Sequence, residues 1–215
     1  MKTFDFFVEE YVFSHNVVFR DRIDIINVVL GTIKYVNTMS LEELKLAENG
    51  EIEVTIHVDK MSRVFICKDA KIHTFQFPFT IIEENGSLSV YFNELVLDSK
   101  VSSILSSIFN NNSLFSESID IMLDVFIDAM KEYEIEHKYY TESIWAIVIW
   151  LLSFEPGYLR YDYDPERQDG EYHPLNHLDI YYTNRNTFKL GLEESVDKYG
   201  LINILDINEK CKFLK

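Results

Sequence analysis

Cysteine, proline and glycine are all scarce: 2 Cys, 4 Pro and 7 Gly in 215 residues. Cys67 and Cys211 are far apart in the chain, so they make neither a disulfide framework nor a zinc knuckle. Cys67 alternates with apolar neighbours in a strand-like run, where a buried thiol is expected. So few glycines argue against a glycine-built nucleotide fold. No phosphate loop, G-x-G-x-x-G or C-x-x-C occurs, which removes the usual marks of kinases, dinucleotide enzymes and dithiol redox enzymes. Long apolar runs are missing too. "IWAIVIWLL", Ile144 to Leu152, is too short to span a bilayer. The opening "MKTFDFFVEEYVFS" carries acids where a signal peptide needs unbroken apolar residues, so a cytoplasmic location is expected.

Positive charge is also in short supply. Against 36 acidic residues stand 20 basic ones, a formal charge of -16. A field of that sign repels phosphate backbones and anionic membranes, and it favours a basic partner protein or a cation. Lys131, Lys138 and Lys189 are scattered, with no basic–aromatic interleaving, so direct nucleic-acid binding is not expected. What the chain does have is aromatic surface, with 16 Phe and 13 Tyr, in an ordinary globular balance of 47% hydrophobic and 26% charged residues. Such flat side chains suit a core, an aromatic groove or a partner surface.

Periodicity divides the chain. "DRIDIINVVLGTIKYV", from Asp21, reads as a helix with an aspartate cap, while its β-branched residues also permit a strand. Ser40 and Glu43 have capping-box spacing before a short second helix. Ile52, Val54, Ile56 and Val58 alternate with Glu53, Thr55 and His57, predicting a strand with one dry and one wet face. The pattern continues as an antiparallel meander of about four strands over residues 51–92, with Asn85-Gly86 at a turn and Pro78 at an edge or bulge. From Asp98 the period becomes helical. Val101, Ile104, Leu105 and Ile108 mark one face, and Leu114, Ile119, Met122, Leu123, Phe126, Ile127 and Met130 another. A third helix runs from Glu142 to Phe154, capped by Thr141. Strands return at Leu159 to Tyr163, Leu178 to Tyr182 and Thr187 to Leu192, and a helical segment follows from Glu193 to Leu205. The expected class is α+β: an antiparallel β-meander, a central group of helices, and a C-terminal β-hairpin followed by a helix. A single domain over residues 1–215 is expected, with residues 1–95 and 96–215 as the alternative subdivision, and the C-terminal strands closing over the helices.

Chemistry concentrates in "RYDYDPERQDGEYHPLNHLDIYY", Arg160 to Tyr182. On a strand from His177, side chains two apart share a face, so His177, Asp179 and Tyr181 point one way. Pro174 keeps His173 from joining that face simply, and "HPLNH" lacks the glutamate of a helical metalloprotease motif. Pairing the strand of Asp162 with that of Asp179 would gather ligands for a divalent ion such as zinc or manganese. Those ligands are His173, His177 and Asp179, with oxygen from Asp162, Asp164 or Glu171. The same residues suit a structural network in which each imidazole bonds backbone or aspartate and Arg160 pairs with a carboxylate. Tyr161, Tyr163, Tyr172 and Tyr181 are candidates for an interface. His57 and His73, on neighbouring predicted strands, read as a surface pair, with a ligand pair as the alternative.

"YDYDP" (Tyr161 to Pro165), "HPLNHLDI" (His173 to Ile180) and "TFKLGL" (Thr187 to Leu192) resemble the C-terminal signature of an uncharacterised bacterial protein family. His173, Pro174 and His177 match it, while Asp179 stands where a further histidine is common. The resemblance covers about 35 residues and implies a bacterial cytoplasmic protein, a component of a defence or toxin-related operon. Charge and tyrosines together lead to one expected function, a protein-interaction module that binds or restrains a basic effector. The alternative is a divalent-metal-dependent hydrolase or nuclease using His173, His177 and Asp179. Whether the chain is an enzyme is left open by its residues.

Overall fold

Strand-period and helix-period segments become the expected kinds of element. The computed structural model describes residues 2–13, 19, 21–46, 52–115, 118–183 and 186–212. Its elements are β1 (Lys2–Val8), α1 (Arg22–Thr38), α2 (Leu41–Leu46), β2 (Ile52–Val58), β3 (Ser62–Lys68), β4 (Lys71–Gln76), β5 (Thr80–Glu84), β6 (Ser87–Phe92), β7 (Leu95–Val96), α3 (Ser99–Phe109), α4 (Ile119–Glu132), α5 (Lys138–Ser153), β8 (Leu159–Tyr163), β9 (Asn176–Thr183), β10 (Asn186–Leu192) and α6 (Lys198–Leu205). The class is α+β, with antiparallel pairing throughout the described strands. Among the described residues no helix is long and apolar enough to cross a membrane.

The chain folds into two compact units, one of Met1–Glu10, Lys45–Phe77 and Glu155–Lys215, the other of Tyr11–Leu44 and Pro78–Phe154. These boundaries do not coincide with a division at residue 95. They also cut the expected meander. β2, β3 and β4 belong to a seven-stranded sheet of order β1-β2-β3-β4-β8-β9-β10, while β5, β6 and β7 form a separate three-stranded sheet. Pro78 lies in the break between them, outside any strand. The C-terminal strands, expected to close over helices, join a sheet. They extend the large sheet, because β8 pairs with β4 from Lys71↔Asp162 to Thr74↔Leu159.

In the seven-stranded unit, one sheet face packs against α6. Phe65, Ile72, Tyr161, Leu178, Leu201 and Ile202 form a buried cluster there, flanked by Leu159, Ile180, Leu190 and Leu192. The alternation of β8, β9 and β10 explains this, since every second residue is apolar and turns to one side. The helix starts at Lys198, later than Glu193, with Asp197 as its N-cap accepting from the Gly200 amide at 2.7 Å. Lys198 itself is buried and donates to Asp5 (2.7 Å) and Glu53 (2.6 Å). Burial alone would lower its ammonium, but these two hydrogen-bonded carboxylates outweigh burial and raise it. The expected wet face of β2 is dry as well. Thr55 and His57 are fully buried, with the Thr55 hydroxyl donating to Asp5 Oδ1 at 2.5 Å. Cys67 is half-buried, and burial pushes its thiol up to about 12.

The second unit packs α1 against β6 and α3, and α3 against α4 and α5. Asp21 caps α1 through a reciprocal box. Its carboxylate accepts from the Ile23 (2.8 Å) and Asp24 (3.2 Å) amides, while Asp24 Oδ2 accepts from the Asp21 amide at 3.2 Å. Ser40 and Glu43 form the second box as the spacing predicts: the Ser40 amide donates to Glu43 Oε2 at 2.8 Å, and the Glu43 amide to Ser40 Oγ at 3.2 Å. Asn85 and Gly86 both adopt positive φ, 51° and 78°, the geometry of the β5–β6 turn. Thr141 is not a cap. His137 holds that position, and Thr141 lies inside α5 with its hydroxyl donating to the His137 carbonyl at 3.3 Å. On α4, Phe126 and Met130 are buried, whereas Ile119, Leu123 and Ile127 are exposed, so the expected apolar face is only half covered.

Replacing Asp21 by alanine removes the acceptor of the α1 box and is expected to lower stability by about 1 kcal/mol. Asp21→Asn, which keeps an acceptor, should stay close to the parent. Urea denaturation of both variants checks this, and an alanine variant as stable as the parent would dismiss the cap as a stabilising feature.

Candidate functional site

The charged residues of the C-terminal stretch meet because of register. β8 pairs with β9 so that Arg160 faces Asp179 and Asp162 faces His177, and β9 pairs with β10 so that Asp179 faces Lys189 and His177 faces Gly191. On the other side of β8, Arg160 faces His73 of β4. Directly paired residues share a sheet face, so His73, Arg160, Asp162, His177, Asp179 and Lys189 all project opposite to the Tyr161–Leu178 cluster.

One guanidinium nitrogen joins both aspartates. Arg160 Nη2 lies 2.6 Å from Asp162 Oδ2 and 2.5 Å from Asp179 Oδ2. Lys189 Nζ donates to Asp179 Oδ1 at 2.8 Å and lies 2.8 Å from His177 Nε2. His177 Nδ1, 2.8 Å from the Pro174 carbonyl, must carry a hydrogen there, which leaves Nε2 to accept from the ammonium. His177 Nε2 is also 3.5 Å from Asp162 Oδ2 and 3.9 Å from Asp179 Oδ1. The cluster is balanced in charge, with two carboxylates against a guanidinium and an ammonium. His177 is fully buried, Asp162 and Asp179 nearly so, and Lys189 is one-third exposed. Within it, Asp162 Oδ1 and Arg160 Nε are buried without a hydrogen-bond partner. Burial is the largest single influence on Arg160 and would lower it, but the hydrogen bond and charge of Asp162, with Tyr181 and Tyr158, together outweigh burial and raise it.

The segment from Asp164 to Leu175 folds back on itself. The Asp164 amide donates to the Leu175 carbonyl at 2.9 Å, and Asp169 and His173 exchange backbone bonds at 3.0 and 3.1 Å. His173 Nε2 sits 3.2 Å from Asp164 Oδ2, and its ring meets that of His177 edge-on with centroids 4.8 Å apart. Gly191 permits this close fold. A Cβ built there would come within 2.9 Å of Pro174 Cγ.

Of the candidate ligands, Asp162, His177 and Asp179 come together: one ligand atom from each lies within 4.8 Å of the others. His173 and Asp164 pair with each other beside that triad, and Glu171 is exposed in the 170–172 turn. The candidate interface splits. Tyr161 is buried, its hydroxyl donating to Asn176 Oδ1 at 2.8 Å, so it belongs to the core and presents no surface. Tyr163 and Tyr172 are exposed, at 44% and 89%. Tyr181 is half-buried and stacks on Tyr158 with centroids 4.3 Å apart. His57 and His73 are no surface pair. Both are buried, on strands β2 and β4 that β3 separates. Sequence reasoning passed over Lys189 as one scattered lysine, although folding the β9–β10 hairpin about its turn places it opposite Asp179. Compared with known protein families, curated proteins and solved structures, the chain shows no match.

His73 Nδ1 is 2.9 Å from the Tyr158 hydroxyl. Burial, with the Arg160 and Lys71 cations adding to it, pushes its imidazole down to about 3. An unfolded histidine titrates near ~6.5, so the neutral buried form contributes stability that is complete above that pH and lost as pH falls towards 3. Between pH 7 and pH 5 the parent is expected to lose about 2 kcal/mol that His73→Gln does not lose, since each unit below ~6.5 costs ~1.4 kcal/mol. Urea denaturation at both pH values measures this, and equal losses in both proteins would refute it. Arg160→Met, which takes the guanidinium from buried Asp162 and leaves Asp179 with Lys189 alone, should cost about 3–5 kcal/mol in the same assay at pH 7. A loss below ~1 kcal/mol, the scale of an exposed ion pair, would show the guanidinium to be dispensable.

Proposed function

We propose that the chain is an acidic interaction module that binds a basic protein. The observation that carries this reading is the outer surface of α4. Ile119, Leu123 and Ile127, four residues apart, form an apolar stripe exposed at 76%, 42% and 39%. Asp120, Asp124 and Asp128, displaced by one residue, form an acidic stripe beside it. Beyond Ile127 lies a cavity of about 680 Å³ lined by Phe126, Met130, Glu134 and Ile135 among others. Adjacent apolar and acidic stripes complement an amphipathic helix whose apolar edge is flanked by lysine or arginine. The net charge of -16 would speed the approach of such a partner. An effector neutralised by this chain, in a bacterial defence or toxin-related setting, is the form of partner that fits the C-terminal resemblance.

A divalent-metal centre at Asp162, His177 and Asp179 is the second reading. It is favoured by the buried, unpartnered Oδ1 of Asp162 and by the Pro174 carbonyl, which turns His177 Nε2 towards the carboxylates. These residues fit zinc or manganese by donor type. A hydrolase or nuclease would further need substrate to reach a metal-held water, and the full burial of His177 gives that step no support.

The interaction reading is tested by isolating partners from the native host and measuring the association with purified components at low and high salt. Binding should weaken by about tenfold or more at high salt. Leu123→Lys with Ile127→Lys should weaken it comparably at fixed salt. A partner indifferent to both, or no protein partner at any salt together with metal-dependent turnover lost in His177→Ala, would overturn the reading.

A further inference from the structure

Lys189 contacts two of the three groups that the metal reading assigns to an ion, His177 and Asp179. Its Nζ is 2.8 Å from both His177 Nε2 and Asp179 Oδ1. Those atoms and an Asp162 oxygen are mutually close: Nε2 is 3.5 Å from Asp162 Oδ2 and 3.9 Å from Asp179 Oδ1. A tetrahedral zinc with bonds of ~2.0–2.1 Å sets its ligand atoms ~3.3 Å apart, so His177 Nε2 and the two carboxylates, all within 4.8 Å of one another, would have to draw closer around an ion. The supporting contacts are also in place. Arg160 holds Oδ2 of both aspartates, and the Pro174 carbonyl fixes the His177 tautomer. The Lys189 side chain is the most exposed member of the cluster, one-third exposed on the terminal strand of the sheet.

We propose that Lys189 is a tethered cation competing with a divalent ion for the Asp162–His177–Asp179 cluster, so that ion binding and release of the lysine side chain are one event. This rests on the metal-centre reading above. Charge gives the exchange its character. With Lys189 in place, the cluster is neutral, whereas a divalent ion in its stead leaves one positive charge in excess, so the lysine keeps affinity modest. Zinc is an ion that the donor set fits. Displaced, the Lys189 amine moves into solvent and changes the charge of the exposed edge around β10.

The test uses untagged full-length protein, zinc titrated by calorimetry, and the variants Lys189→Gln and Asp162→Asn/Lys189→Gln. Lys189→Gln keeps a donor to Asp179 but no charge, and it should bind zinc at least about tenfold more tightly than the parent. The double variant should lose that gain. In the parent, reductive methylation of Lys189 should accelerate several-fold when zinc is added, a readout that does not depend on any variant folding. Equal zinc affinity in parent and Lys189→Gln, with no change in labelling, would overturn the competition while leaving the metal reading standing. Zinc binding by neither folded protein, with labelling unaffected, would remove both.

Discussion

One guanidinium makes the polar half of the large sheet tenable. Two carboxylates buried side by side repel each other and lose hydration, and neither cost is recovered by packing. Arg160 sits between Asp162 and Asp179, bonding both within 2.6 Å. Its position follows from register. Strand β8 must pair with β9 so that residue 160 opposes 179, and a slip of one residue would turn Arg160 into the Phe65–Leu201 core. Charge pairing on one face and apolar packing on the other therefore select the same alignment, and this agreement between levels marks a well-specified sheet.

Much of this was legible in the residues. The limits of β8 fall where the apolar alternation of Leu159 to Tyr163 places them, and Asp21 and the Ser40–Glu43 pair cap helices because their spacing demands it. The association of Arg160, Asp162, His177 and Asp179 follows from strand alternation once β8 and β9 are paired. What stayed hidden depends on distant partners. No local pattern tells that β4 finds β8 across the residues 78–154, or that the wet face assigned to Thr55 and His57 meets Asp5 and Thr3 of β1. Tyr161 looks amphipathic in sequence, and only the position of Asn176 decides that its hydroxyl is satisfied inside the core. On α4 the pattern misleads in the opposite sense. Ile119, Leu123 and Ile127 extend the apolar arc of Phe126 and Met130 beyond the width that its neighbours cover.

The two candidate sites differ in physical character. The α4 surface offers apolar area already in contact with solvent, so binding there would be driven by its removal from water and guided by the aspartates beside it. The Asp162–His177–Asp179 cluster is already desolvated and neutralised, so any ligand must displace a charge before it gains one. The first suits recognition of a large partner.

The strand order also bears on how the chain reaches its native state. Each neighbour in β1-β2-β3-β4-β8-β9-β10 is the next strand of that sheet along the chain, yet the chain leaves this unit between residues 11 and 44 and again between 78 and 154. The two ends of the longer excursion are held together, with the Gln76 amide donating to the Pro156 carbonyl at 2.8 Å. During synthesis at ~5–20 residues per second, β4 therefore waits on the order of ten seconds for β8 to be made. For that interval its hydrogen-bonding edge is open, next to the apolar Ile72 and Phe75, the kind of edge that recruits foreign strands. Sequence-distant closure of this sort slows folding. The interrupted meander thus makes the nascent chain most vulnerable to misassembly while its 78–154 segment is being made, before Arg160 has been added to the polypeptide.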